Sequence, residues 1–205
     1  MKVVAISQRV DEIAKRGECR DALDQRLVNF LLVAGYLPVP VPNELYLQTL
    51  GQGATHDALH DWLNALSPQA IVLSGGNDIG QYPARDTTEG RLLDHARSHR
   101  LPVLGLCRGM QMIAHCFGGQ LKPVVGHVRT RHQLSGQIVA EVNSYHGFAL
   151  ADCPEAFEIL ARSEDGEIEA IRHLSLPWEG WMWHPEREHV FAPHDIHRLR
   201  MLFGE

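Results

Sequence analysis

The sequence predicts one α/β domain in which a mostly parallel sheet lies between two layers of helices. Three observations point there. Short apolar runs at 3–7, 70–73 and 102–106 have the length of buried strands rather than of helices. Segments with apolar residues at helical spacing alternate with those runs, the pattern of parallel strands joined by crossover helices. The chain's 205 residues, 44% of them hydrophobic, suffice for one core of this kind without disulfides or metal.

Taken in order, residues 3–7 form the first buried strand. A helix over 21–34 ends at Gly35, a C-cap signal. Residues 36–41 form a second strand, and Pro38 and Pro40 place it at the sheet edge because proline donates no ladder hydrogen bond. A short helix over 57–66 leads to the strand 70–73, which runs into Ser74-Gly75-Gly76-Asn77-Asp78. A helix over 88–99 follows, with Thr87 or Thr88 as its N-cap. The strand 102–106 passes directly into a helix from Arg108 to about Phe117. In the C-terminal half, 137–142, 157–161, 168–172 and 180–183 read as short strands joined by turns such as Glu164-Asp165-Gly166. They predict an antiparallel extension of the sheet, and a last helix covers 194–203. No repeat or linker divides residues 1–205.

Composition narrows the function. A formal net charge of −6 disfavours nucleic-acid binding, and no apolar stretch approaches a membrane span. The four cysteines, Cys19, Cys107, Cys116 and Cys153, are irregularly spaced with no C-x-x-C pair. Neither a disulfide framework nor a structural zinc site is expected. The first residues lack the form of a signal peptide, so a reducing, cytoplasmic location is expected. Cys116, nine positions after Cys107 on the same helix, reads as core packing.

The strongest chemical signal is Gly105-Leu106-Cys107-Arg108-Gly109. A buried strand ends in a cysteine flanked by glycines and a helix begins at once, the cysteine form of a nucleophile elbow. The turn exposes the sulfur, and the helix N-terminus favours its thiolate. The second signal is His184-Pro185-Glu186. Two residues apart at what reads as a strand end, the side chains leave on one face, so Glu186 can orient the imidazole toward a thiol. Third, Gly75-Gly76 after a buried strand lets backbone N–H groups approach a substrate. Fourth, Asn143-Ser144-Tyr145-His146-Gly147-Phe148 offers polar groups for an amino-acid head group. Each signal alone has a bland structural reading. With 13 histidines in the chain, an isolated His–Glu pair would be a surface feature.

Together, in this order and spacing, Gly75-Gly76-Asn77-Asp78, Gly105–Gln111, Val142–Ala149 and Trp183–Glu186 resemble the class I glutamine amidotransferase family. Within it, the Arg85-Asp86-x-x-Glu89 run is similar to the free-standing γ-glutamyl hydrolases. A narrower likeness, in Ile6–Arg9, Ser74–Asp78, Cys107–His115 and Met182–Glu188, is to the γ-glutamyl-CDP-amidate hydrolases. The resemblance implies a flavodoxin-like three-layer α/β/α sandwich. It also implies a catalytic triad of Cys107, His184 and Glu186, and an oxyanion hole from the N–H groups of Gly76 and Arg108. Gly75, Gln111, Asn143, Ser144, Tyr145, His146, Gly147 and Phe148 would then contact the glutamyl moiety. The implied reaction passes through a γ-glutamyl thioester and releases glutamate. In the narrower group it leaves cytidine diphosphoramidate for polysaccharide modification.

The run from Gly126 to His132 is a cationic cluster in an acidic chain. As a strand it would place His127, Arg129 and Arg131 on one face, where Arg129 and Arg131 could read a diphosphate leaving group. Paired with acids, the same residues would be a solvated hairpin face. His127 and His132, with His146 or His173, form no tight ligand motif, so no metal is expected, and no cofactor. The expected partner is a small γ-glutamyl substrate, nucleotide-bearing in the narrower reading. If the chain self-associates, a homodimer is expected. Competing functions are a glutaminase subunit feeding ammonia to a synthetase, a γ-glutamyl-GABA-type hydrolase, and a non-enzymatic flavodoxin-like module with a redox-sensitive cysteine.

Overall fold

An eight-stranded sheet forms the middle layer of the computed structural model, which describes residues 1–45, 47–49 and 55–204. Its strands are β1 (Lys2–Ser7), β2 (Tyr36–Val41), β3 (Ala70–Leu73), β4 (Val103–Leu106), β5 (Ser135–Gly136), β6 (Phe157–Arg162), β7 (Ile168–His173) and β8 (Trp178–Trp181). Their order across the sheet is β5-β6-β7-β8-β4-β3-β1-β2. Pairing is parallel from β8 through β4, β3 and β1 to β2. It is antiparallel among β5, β6, β7 and β8. The parallel half with an antiparallel C-terminal extension is the expected architecture, and β2 with its two prolines is the expected edge.

Alternation along the strands divides the core. Val4, Ile6, Ala70, Val72, Leu104 and Leu106 pack on one face with Leu27, Phe30 and Leu31 of α1 (Gln25–Val33) and Leu199 of α5 (Pro193–Leu202). Ala5, Ile71, Leu73 and Val103 pack on the other face. Their partners are Leu59 and Leu63 of α2 (Ala58–Leu66), Leu92 and Leu93 of α3 (Pro83–His99), and Met110 and Ile113 of α4 (Arg108–Cys116). The period of two thus feeds both faces of one sheet, which gives three layers.

The elements differ from expectation in places, each for a local reason. Helix α1 begins at Gln25, not 21, because Asp24 caps it by accepting from the Arg26 N–H (2.9 Å), while Glu18–Ala22 pairs with Arg9–Ile13 as a hairpin. Helix α3 begins five residues early, at Pro83, whose ring suits the first helical position. Residues 137–140 are not strand; the ladder is carried by Glu141–Tyr145, paired with Val128–Gln133. Cys116 is exposed, at the solvent side of α4, and is not core packing. No helix among the described residues is long and apolar enough to cross a membrane.

Candidate active site

Strands β1, β3 and β4 deliver Ser7, Ser74 and Cys107 to one end of the sheet, the carboxyl end where parallel sheets place ligands. Between β4 and α4, Cys107 adopts φ 51° and ψ −106°, a left-handed backbone costly for a residue with a Cβ. Close packing imposes it. A Cβ on Gly105 would lie 2.5 Å from the Gly109 carbonyl carbon, and one on Gly109 would lie 2.1 Å from the Leu73 oxygen. Glycine at both positions lets α4 start against β3 and β4, and the turn between them carries the cysteine. The Cys107 N–H is anchored on the Trp181 carbonyl (2.7 Å). The residue is buried, at 7% exposure.

His184 lies near enough to this sulfur for the sulfur's charge to act on its imidazole. Its Nδ1 is 2.6 Å from Glu186 Oε1, which leaves Nε2 as the nitrogen that can face a thiol. The segment is not a strand end: β8 stops at Trp181, and Pro185–Arg187 is a 3₁₀ turn capped by His184. Pro185 fits the first position of that turn, and the turn brings Glu186 back under the ring. Arg26 fixes the turn from α1 by donating through Nε to the Glu186 carbonyl (2.7 Å) and through Nη2 to that of Glu188. Burial pulls the His184 pKa down, but the Glu186 carboxylate and the Cys107 sulfur outweigh it and raise it to about 9.

The loop after β3 is held from beneath by a buried guanidinium. Arg85 donates to the carbonyls of Ser74 (2.8 Å), Gly75 (3.1 Å) and Gly76 (2.9 Å) and pairs with Glu89 at 2.9 Å. In a trans peptide the N–H opposes the C=O, so pinning the Gly75 carbonyl on Arg85 turns the Gly76 N–H away from Arg85. Glu89 also accepts from Ser7 Oγ (2.7 Å) and, with Asp86, from the Arg108 side chain. Burial lowers the pKa of Arg85 to about 10 and that of Arg108 to about 9, so both are charged at neutral pH. The Arg108 N–H is the first of α4 and has no carbonyl a turn earlier to bond. The Arg85-Asp86-x-x-Glu89 run, with Arg85 and Glu89 at i,i+4 spacing, was the sequence sign of this network.

The expected recognition residues separate. Gln111 donates to the Phe148 carbonyl (2.9 Å), and Tyr145 places its ring edge-on to His184 at 5.8 Å. Gly147 is exposed beside them. Asn143 is spent on the protein: Oδ1 accepts from the His184 N–H (2.9 Å), and Nδ2 donates to the His184 carbonyl (2.8 Å) and to Glu188 (2.8 Å). Ser144 donates to the His127 carbonyl (2.7 Å), and the His146 ring is buried against His127. The cationic face does not form either. A bulge between Val128 and Thr130, with Arg129 at φ 57°, breaks the alternation, and His127 is buried while Arg129 is exposed. Arg131 is paired with Glu141 and Glu188. Arg9 and Arg187 are the guanidinium groups lining a cleft of about 250 Å³ beside Gly75, Gly76, His184 and Glu186. Arg9 comes from the hairpin after β1 and closes the Ile6–Arg9 run noted in the sequence, where no role was assigned to it. Arg187 directly follows Glu186, and its guanidinium lies 4.7 Å over the Tyr145 ring.

A strained cysteine at a strand–helix junction beside an acid-oriented imidazole suits acyl transfer from an amide. Residues 25–203 match the model of the family described as glutamine amidotransferase class-I. The chain belongs to that family. A γ-glutamyl-CDP-amidate hydrolase of Campylobacter jejuni is 31% identical over 198 residues, 90% of each chain. One subunit of the glutamine-hydrolysing GMP synthase of Thermococcus kodakarensis is 31% identical over 148 residues, 66% of this chain and 76% of that one. The fold is shared with the crystal structure of a putative GMP synthase subunit from Thermoplasma acidophilum. That match has a TM-score of 0.73 at 20% identity and covers 100% of this chain and 93% of the other. Both halves of the expected fold, parallel and antiparallel, are those of the family.

Proposed function

We propose that the protein hydrolyses a γ-glutamyl amide through Cys107, with His184 as proton carrier and Glu186 as its orienting acid. The observation that carries this reading is the pairing of a left-handed Cys107 at the start of α4 with His184, whose Nδ1 is 2.6 Å from Glu186. The sulfur attacks the side-chain carbonyl carbon, and the oxyanion is met by the N–H groups of Gly76 and Arg108. His184 passes a proton to the leaving nitrogen, the C–N bond breaks, and a γ-glutamyl thioester remains. His184 then takes a proton from water, hydroxide adds to the thioester carbon, and glutamate leaves with the thiol restored. Gln111, Tyr145, Gly147 and Phe148 border the glutamyl end.

For the leaving group we favour a nucleotide-bearing amide of the γ-glutamyl-CDP-amidate type, which would yield cytidine diphosphoramidate for polysaccharide modification. The end-to-end likeness to the Campylobacter hydrolase supports it, and Arg187 on the cleft offers a guanidinium for a diphosphate, whereas Arg9 beside it is paired with Asp11. The Thermococcus match supports a second reading, a glutaminase subunit that supplies ammonia to a partner. Purified protein is assayed by mass spectrometry with γ-glutamyl-CDP-amidate, γ-glutamyl-GABA and glutamine. The first reading expects much the highest kcat/KM for the nucleotide substrate, with Arg187→Ala raising KM for it and leaving KM for glutamine unchanged. Turnover of glutamine alone, low until a synthetase is added, supports the second. Unchanged turnover in Cys107→Ser refutes both.

A further inference from the structure

Away from Cys107, four chemistry-bearing side chains converge where the hairpin of Val128–Gln133 and Glu141–Tyr145 meets β7. Glu169 of β7 is fully buried, and neither of its oxygens has a hydrogen-bond donor among the described residues. The nitrogens facing it are His146 Nε2 at 3.3 Å and His127 Nδ1 at 3.4 Å, themselves 3.3 Å apart. Both imidazoles have their other nitrogen on an acceptor. His127 Nε2 donates to Asp165 Oδ2 (2.8 Å), and His146 Nδ1 donates to the Phe148 carbonyl (3.0 Å). Ser163 donates to Asp165 at 2.6 Å. Neutral imidazoles so oriented turn two lone pairs onto a carboxylate oxygen. Three acceptors at such distances with nothing positive between them repel one another, and burial makes this costly.

We propose that His127, His132, His146 and Glu169 form a site for a divalent transition metal of the Zn²⁺ class. The spacing fits: tetrahedral bonds of ~2.0–2.1 Å require ligand atoms ~3.3–3.4 Å apart, the edges of this triangle. His132 completes the set. It is 9% exposed, its Nε2 has no partner among the described residues, and its ring centroid is 4.1 Å from that of His127. One ligand atom each from His127, His132 and Glu169 lies within 4.8 Å of the others; His146 is outside that group and approaches it through His127 and Glu169. Asp165 on His127 and a carbonyl on His146 are the outer partners that fix ligating histidines in place. The donors escape a sequence reading because Glu169 lies 23 positions beyond His146, on another strand. The ion would tie the hairpin to the central sheet. Through the Phe148 carbonyl, shared by His146 and Gln111, it would also brace the segment bordering the glutamyl end.

The test uses the full chain, stripped with chelator and titrated with Zn²⁺ or Co²⁺ against a chromophoric competitor. The expected result is one tightly held equivalent per chain, intense visible bands of tetrahedral Co²⁺, and a thermal midpoint raised by about 5–10 °C at a hundredfold excess over Kd. Glu169→Gln and His132→Ala should weaken that equivalent at least about tenfold. A double His95→Ala, His99→Ala variant, removing a stacked surface pair on α3, should keep it. Should the buried variants fail to fold, X-ray absorption of the loaded wild type decides, with three imidazoles and one carboxylate expected. No tight equivalent, an equivalent retained by both buried variants, or fewer than two imidazoles around the metal would overturn the proposal. A proton shared between one imidazole and Glu169 would then hold the cluster together.

Discussion

Gly75→Ala tests the geometry around His184 with one methyl group. Gly75 does not need a left-handed backbone, so alanine is conformationally permitted. Its Cβ, however, would lie 2.6 Å from His184 Cε1 and 3.5 Å from Nε2. Ordinary contact begins at 3.4 Å, so the ring must retreat by about 0.8 Å. It cannot do so freely, being held by Glu186 at Nδ1 and by Asn143 on both sides of its backbone. The loop cannot give way easily either, because Arg85 grips three of its carbonyls. A displacement near 1 Å at a reacting group costs on the order of 10²-fold in rate, or about 2.7 kcal/mol of barrier. Overpacking should cost about 1–3 kcal/mol of stability, a thermal midpoint shift of several degrees in a chain of this size. Glutamate release is followed in a coupled assay, and Cys107 reactivity by iodoacetamide alkylation. Both should fall together while the fold persists. A variant that keeps kcat within threefold of wild type would refute the placement of His184 against this loop.

The remaining predictions use the same contacts. Asn143→Ala should lower kcat by about tenfold or more with little change in KM, because Asn143 holds the His184 backbone; a change confined to KM would make it a substrate contact instead. The His184 pKa, about 9 when folded against an ordinary 6.5, gives a sign to the pH dependence of stability. The charged imidazolium's contribution is full below about 6.5 and disappears as pH rises through about 9. The thermal-midpoint difference between wild type and Glu186→Gln should therefore be large at pH 6 and vanish by pH 10, and a constant difference would reject it. Arg85→Lys keeps the charge but loses the fork that binds Ser74, Gly75 and Gly76. It should destabilise the fold by about 2–4 kcal/mol in urea titrations, since it leaves buried carbonyls and Glu89 poorly matched. An effect below 0.5 kcal/mol would show that the loop holds itself.

Much of the fold was legible because parallel strands buried on both faces are short, continuous apolar runs. Gly105 and Gly109 likewise betray a helix starting hard against the sheet. Local chemistry defined these features, and local chemistry is what a chain displays in order. The motifs Gly75-Gly76, Cys107 and His184–Glu186 could be read because each is compact in the chain: glycines after a buried strand, a cysteine between glycines, and a His and a Glu two apart. Contacts across the fold were not legible. Arg129 and Arg131 were read as one face because alternation assumes an unbroken strand, and a bulge cancels it. Asn143 was read as a substrate contact because its type is ambiguous; only the folded chain puts both its amide groups on His184, 41 positions away. His127, His146 and Glu169 have no mutual spacing that marks them as a set, since hairpin and sheet bring them together. Composition and periodicity determined the sheet and its layers, and local motifs marked Cys107, His184 and Glu186 as candidates. Tertiary packing alone decided which polar groups are spent on the protein and which converge on a point in space. Hydrogen-bond partners and charge neighbours depend on distances of a few ångströms between segments far apart in the chain.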